Sequence, residues 1–414
     1  MINHPTLPWY RTITPIQWKS LLAAKLGWML DAMDVMLYAF ALVAIRDEFG
    51  LSSAEAGALA SVTLVASAAG GILFGYLADR IGRARSLMYS ILTYSAFTAL
   101  TATSGSVIEL VFWRVLVGFG MGGEWSAGSV LVSETWPAQH RGKAIGLMQS
   151  GWAIGYILAA LLAAALLPTL GWRAMFVVGL LPALLAAWIR RNVPEPELWR
   201  ERRGTQAALQ TVGIAQIFRP PLLKKTLIAT SVTTSVLFAY WGLFTWIPTF
   251  LSTPIENGGA GMTIVRTTAW IIPMQIGAFL GYNLFGFLAD RFGRRPVFVV
   301  FLVFAAALVP LYGQLGQSEV LLMVLGPLIG FFGHGYFSVF GAMLAELFPT
   351  SIRGTAQGLT YNTGRAVSAL APFTIGALAH VYGIGSALGL TSAFFLLGAA
   401  LIFLLPETKG KELV

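Results

Sequence analysis

Apolar residues run through this chain in long blocks broken by short polar turns. A sliding window finds twelve such blocks, near 20–45, 55–78, 86–104, 107–131, 143–167, 172–190, 226–250, 264–289, 297–315, 319–344, 355–380 and 384–405. At about 1.5 Å per residue, a helix of roughly 20 residues crosses the hydrocarbon core of a bilayer, so each block predicts one membrane span. One connection differs from the rest. Residues 191–225 are polar, rich in Arg, Lys and Pro, and sit at the middle of the chain. The expected fold is an all-α membrane protein: twelve transmembrane helices in two six-helix bundles, residues 1–190 and 226–414, joined by a linker over 191–225.

Composition identifies lipid as the solvent. Of the 414 residues, 57% are hydrophobic and 11% charged, against about 25% charged in soluble domains. A net charge of +9 would suggest nucleic acid in a soluble protein. Here Arg80, Arg83, Arg85, Arg141, Lys143, Arg291, Arg294, Arg295 and Arg353 gather in one set of short loops, and the linker and tails add more. The opposite side offers only Arg46, Arg173 and Arg266. The positive-inside rule explains this asymmetry without a nucleic-acid partner and orients the linker and both termini to the cytoplasm. The first 19 residues resemble no cleavable signal peptide, so the first span is expected to remain. Cysteine is absent, which excludes disulfides and thiolate metal sites.

The chain also repeats itself. Gly-Tyr-Leu-Ala-Asp-Arg-Ile-Gly-Arg at 75–83 recurs as Gly-Phe-Leu-Ala-Asp-Arg-Phe-Gly-Arg at 286–294. Glu134, Pro137, Arg141 and Gly142 recur as Glu346, Pro349, Arg353 and Gly354, and Pro194-Glu195 recurs as Pro406-Glu407. A membrane chain of two similar halves is the signature of a transporter that rocks one half against the other. With these paired motifs the chain resembles the major facilitator superfamily over its whole length. Arg114, Gly118, Gly120, Gly122, Gly123 and Glu124 look like that superfamily's span-4 motif. Within it, Leu30-Asp31-Ala32-Met33-Asp34, Gly122-Gly123-Glu124-Trp125, Tyr240-Trp241-Gly242-Leu243-Phe244-Thr245-Trp246 and Tyr361-Asn362-Thr363-Gly364-Arg365 resemble the metabolite–proton symporters for aromatic acids, nicotinate and sialate. The Pro-Glu ends of the halves are also similar to those of sugar porters. The resemblance implies a monomeric carrier in the cell inner membrane, coupled to protons and needing no cofactor.

Ionisable residues at membrane depth are costly and mark function. Asp31, Asp34, Arg114, Glu124 and Arg365 occupy such positions, with His334 a weaker case; Lys25, near the cytoplasmic end, is expected to snorkel. Asp31 and Asp34 share a helix face. Asp34 lies roughly 17 Å below the outer end of span 1 and Arg114 roughly 10 Å below that of span 4, near enough to pair if the helices touch. Asp31 lies deeper, toward Glu124. Asp34 is therefore the expected proton acceptor with Arg114 as its electrostatic governor, since arginine stays charged while the acid titrates. The resemblance supports an acid in span 1 and an arginine in span 4; Asp31 and Glu124 complete the proton-coupling set.

Arg365 falls near the midplane of span 11, and its repeat counterpart is Ala153. A cation belonging to one half only is not demanded by packing common to both. It suits a carboxylate, which a guanidinium grips with two parallel hydrogen bonds. The competing expectation is a pair across the cavity with Asp31 or Glu124. Tyr361 and Asn362 lie within a turn of Arg365. Tyr38 and Trp241 sit in spans that line the cavity in the superfamily, and aromatic walls suit a ring-bearing acid; Gln149 and Gln275 are further candidate contacts. The repeated basic motifs are assigned to gating: Asp79, Arg83, Glu134 and Arg141 in one half, Asp290, Arg294, Glu346 and Arg353 in the other.

Other chemistries are excluded. There is no GxxxxGK[ST] run for ATP, no Cys/His cluster for a metal, and the GxGxGG letters at 118–123 lie inside an apolar span. The expected function is import of an organic anion, a monocarboxylate such as an aromatic or sugar acid, by proton symport with alternating access. The chain is then a carrier and not an enzyme. The alternatives are a proton-coupled exporter, disfavoured by the absence of a Gly-Pro motif in span 5, and a neutral-sugar facilitator, which leaves Arg365 unexplained. A transporter-like sensor would be expected to carry an additional cytoplasmic domain.

Overall fold

The computed structural model describes residues 8–51, 53–204, 214–220, 222–262, 264–314 and 318–413. Parts of the expected linker, 205–213 and 221, lie outside the described residues, as do the side chains of Arg46 and Arg266. Twelve helical spans follow one another. Spans 1 to 4 are Pro15–Phe49, Ser53–Ile81, Arg83–Thr101 and Val107–Thr135. Span 5 is Arg141–Gln149 continued by 151–170, and span 6 is 172–178 with Pro182–Asn192. Spans 7 to 9 are Leu222–Phe244, Ile264–Phe292 and Arg294–Gln314. Span 10 is Glu319–Gly335 with Ser338–Leu347, span 11 Arg353–Ser368 with Leu370–Tyr382, and span 12 Ile384–Leu388 with Leu390–Leu401.

Nine stretches among the described residues are long and apolar enough to cross a membrane by length and composition; spans 1, 3 and 11 are not among them. Span 1 carries Asp31 and Asp34, and span 11 carries Gln357, Tyr361, Asn362 and Arg365, all buried inside the bundle where protein replaces lipid around them.

Close helix crossings hold each half together. In span 4, Gly118 and Gly122 lie against the Thr63 and Ser67 carbonyls of span 2, so that a Cβ at either position would overlap them. The second half repeats the device between spans 8 and 10, with Gly277 and Gly281 against Pro327 and Phe331. Glycine also lines the seams between halves: Gly71 and Gly75 of span 2 meet Asn362, Gly354 and Gly358 of span 11, and Gly146 of span 5 meets Tyr282 and Gly286 of span 8. Without side chains, backbones approach closely enough for dispersion to drive association in lipid. Each half turns from its second to its third span at a glycine with positive φ, Gly82 (115°) and Gly293 (109°), a conformation open to residues lacking a Cβ.

Candidate functional site

The basic face carries two copies of one network. Asp79, at the end of span 2, accepts hydrogen bonds from the Gly354 and Thr355 amides at the start of span 11, at 3.1 and 2.8 Å. Asp290, at the end of span 8, accepts from Gly142 and Lys143 at the start of span 5, at 3.0 and 2.8 Å. Each acid thus caps a helix of the opposite half, where unpaired amides and the helix dipole favour a carboxylate. Beneath them Glu134 receives Arg83 (2.9 Å) from its own half and Arg353 (2.6 Å) from the other. Glu346 receives Arg294 (3.2 Å) and Arg141 (2.9 Å) in the mirrored arrangement. Glu195 and Glu407 brace the copies by accepting the backbone amides of Ala84 and Arg85 and of Arg294 and Arg295. All eight residues expected to gate therefore meet across the boundary between halves.

A ladder of cross-half contacts climbs from this network to the midplane. Ser133 donates to the Gly341 carbonyl, Ser129 to Gln357 at 3.1 Å, and Asn362 to Ser126 at 3.2 Å. Trp125 of span 4 stacks on Tyr361 of span 11 with ring centroids 3.6 Å apart and planes 17° from parallel. At the top, Arg365 Nη1 lies 3.5 Å from the Ser67 hydroxyl of span 2. These contacts close the basic side of the molecule below Arg365.

Arg365 is 5% exposed, its guanidinium sits 5.3 Å from the Tyr361 ring centre, and its Nε has no hydrogen-bond partner. Asp31 and Glu124 lie within its electrostatic reach and within that of each other. Both oxygens of Glu124 and one of Asp31 are buried without a hydrogen-bond partner. Further out, Arg114 Nη1 stands 3.9 Å from Asp34 Oδ2, and its guanidinium lies 4.4 Å from the Tyr38 ring centre. Spans 1 and 4 do touch at these two residues. Neither Asp34 oxygen nor the Tyr38 hydroxyl has a hydrogen-bond partner. Two tiers of charge thus sit inside the bundle, the upper wholly within the first half and the lower shared between halves.

The chain's family can be read independently. The Major Facilitator Superfamily model matches residues 26–281 and 260–413. The chain belongs to that superfamily. It is 36% identical over 406 residues to a putative metabolite transport protein of Haemophilus influenzae, covering 96% of this chain and 98% of the relative. It is 36% identical to the cis,cis-muconate transport protein of Acinetobacter baylyi, covering 92% and 91%. A solved proton:xylose symporter shares the fold with a TM-score of 0.80 at 20% identity, covering 96% of this chain and 97% of that one. The protein is accordingly a multi-pass membrane transporter of the twelve-helix superfamily fold, in the branch of organic-acid and metabolite carriers.

The remaining candidate side chains divide by their partners. Gln149 accepts from the Trp125 indole at 3.1 Å, and Tyr361 gives a face to Trp125, so both are engaged in the contact between spans 4, 5 and 11. The Asn362 amide donates to Ser126 and to the Gly358 carbonyl, leaving its own oxygen without a partner. Gln275 is 3% exposed with Oε1 unpartnered, and the Trp241 Nε1 is likewise unpartnered. His334 sits among Tyr240, Phe244 and Tyr282, with Nδ1 3.1 Å from the Gly330 carbonyl. A carbonyl only accepts, so Nδ1 carries the proton and Nε2 faces the Tyr240 hydroxyl at 3.4 Å.

Sequence reasoning passed over Trp125, Ser67 and Ser126 as site residues. The Gly122-Gly123-Glu124-Trp125 run was their one visible signal. The Lys25 ammonium bonds the Ser150 hydroxyl at 3.0 Å and lies 5.6 Å from the Phe279 ring centre.

Proposed function

We propose that the protein imports an organic monocarboxylate, such as an aromatic or sugar acid, across the cell inner membrane by proton symport, acting as a monomer with both termini cytoplasmic. The observation that carries this reading is Arg365: a guanidinium at mid-depth, buried, with a free Nε donor and no carboxylate within ion-pair distance among the described residues. A substrate carboxylate supplies the missing partner. The cis,cis-muconate relative is consistent with an acidic cargo. Asp34 serves as the proton acceptor and Arg114 as its counter-charge, with Asp31 and Glu124 the second acid pair between proton and substrate. The network on the basic face, then cytoplasmic, holds the carrier closed to the cytoplasm. The membrane potential opposes anion entry by about 2.3 kcal/mol per charge per 100 mV; a proton that balances the charge removes that opposition, and one beyond balance makes the potential drive uptake.

The test is reconstitution in liposomes with an imposed inward proton gradient and labelled benzoate, nicotinate, cis,cis-muconate, a neutral sugar and a cationic drug. Uptake of an acid that collapses with an uncoupler is the expected result. Efflux of the cation, or gradient-independent equilibration of the sugar, contradicts it.

A further inference from the structure

Lys25 takes no part in either charge tier. Its ammonium meets one hydroxyl, Ser150 at 3.0 Å on span 5, and one ring face, Phe279 on span 8 of the other half. Among the described residues no carboxylate lies within ion-pair distance of it. One helical turn further into the membrane on the same face of span 1, Trp28 is 4% exposed and its Nε1 has no hydrogen-bond partner. Trp28 packs on Trp152, two residues beyond Ser150, with ring centroids 4.7 Å apart. Spans 1 and 5 therefore bring an ammonium and, one helical turn away, an unpartnered indole N–H beside an aromatic pair, while the Ser150 hydroxyl accepts from Lys25 and donates to the Leu147 carbonyl at 2.8 Å. Lys25 is half-buried and meets no counter-ion among the described residues, and the nearby indole N–H is unused, a pairing of donors that suits a visiting anion.

From this geometry we infer a second carboxylate-binding subsite on the N-terminal half, formed by Lys25 and Trp28, with Ser150 holding the ammonium in place. Phe279 covers it while the halves are closed at the basic face. Phe279 belongs to the other half, so rocking the halves apart there withdraws the ring and opens the subsite to the cytoplasmic vestibule. The substrate's carboxylate then leaves Arg365, on one half, for Lys25, on the other, before release. The inference rests on the anion-carrier reading and adds a polarity to it: Arg365 is met from both faces and Lys25 only from the cytoplasm.

Right-side-out and inverted membrane vesicles bearing the full chain separate the two faces, using whichever of benzoate, nicotinate or cis,cis-muconate the wild type carries fastest. Lys25→Gln is expected to leave the outer-face KM within about twofold and to raise the cytoplasmic-face KM at least about tenfold. Lys25→Arg should retain most of that affinity. Trp28→Phe, a milder change that removes only the indole N–H, should weaken the cytoplasmic face alone by about threefold. An unchanged cytoplasmic KM in both Lys25→Gln and Trp28→Phe overturns the subsite. An equal change on both faces also overturns it, making Lys25 a tie between the halves. Wild-type vesicles that carry none of the three acids overturn the anion-carrier reading itself, whereas normal wild-type transport with an unaffected Lys25→Gln overturns the subsite alone.

Discussion

The Asp34 carboxylate stands 3.9 Å from the Arg114 guanidinium, and neither of its oxygens is hydrogen-bonded. The two partners attract across a gap longer than a hydrogen bond, inside a bundle that excludes bulk water from both. Such an arrangement is easily unmade by a proton: a neutral acid loses the attraction, while arginine stays charged. Replacing Asp34 by Asn imposes the protonated state permanently. Asp34→Asn should abolish accumulation against a concentration gradient while preserving exchange of labelled for unlabelled substrate. Counterflow and pH-driven uptake in the same liposomes measure both quantities.

The cross-half network makes a separate prediction. Glu134 sits between Arg83 and Arg353, all three side chains nearly inaccessible. Glu134→Gln leaves two buried guanidiniums without their shared acid, a loss of about 3–5 kcal/mol in the closed conformation. The population should move toward the state open at the basic face. Because the chain has no cysteine, Ser129→Cys gives a clean reporter at a buried position between the halves. Its maleimide labelling should accelerate at least about tenfold when Glu134→Gln is added, the factor that about 1.4 kcal/mol of population shift provides. Glu346→Gln, at the mirrored position, should act in the same direction.

Gly71 tests the seam between spans 2 and 11. A Cβ there would overlap the Asn362 amide, which is tethered to Ser126 and Gly358 and so cannot swing aside without breaking those bonds. Gly71→Ala should cost about 1–3 kcal/mol of thermal stability by overpacking. Asn362→Ala in the same chain should recover part of that loss, a non-additivity expected of residues in contact. Melting of the purified single and double variants decides the point.

Acid should loosen the C-terminal brace. Burial raises the Glu407 pKa, but the amides of Arg295, Arg294, Lys409 and Thr408 outweigh it, and the net shift is downward from 4.5. A depressed carboxylate contributes stability above its unfolded pKa and loses it as pH falls through the folded one. Wild type should therefore exceed Glu407→Gln in melting temperature at pH 7, with the difference shrinking as pH falls below 4.5 and through the lowered folded pKa. Glu407 is largely exposed, so the effect should be no more than about 1 kcal/mol.

Much of this architecture was legible in the residues, for identifiable reasons. Lipid demands long apolar helices, so most spans followed from hydropathy, and the meeting of Asp34 with Arg114 followed from their places along spans 1 and 4. The repeats marked Asp79 and Asp290 as a matched pair. They could not reveal that each reaches into the opposite half, because two similar copies offer the same partners in cis and in trans. Tyr361 and Gln149, expected at the substrate, are joined through Trp125, a contact between spans far apart in the chain that no local spacing encodes. The bond from Lys25 to Ser150 was likewise not legible, because it joins spans 1 and 5, 125 residues apart in the chain.

The most direct measurement of the central claim is binding of the transported acid to purified Arg365→Lys and Arg365→Gln, read by titration calorimetry beside the wild type. A lysine keeps the charge and loses the two-pronged geometry. If Arg365 grips the substrate carboxylate, both variants should lose affinity, Gln by at least about a hundredfold and Lys by about tenfold or more, as expected for a charge-assisted bidentate contact. Wild-type affinity in Arg365→Gln would contradict the account.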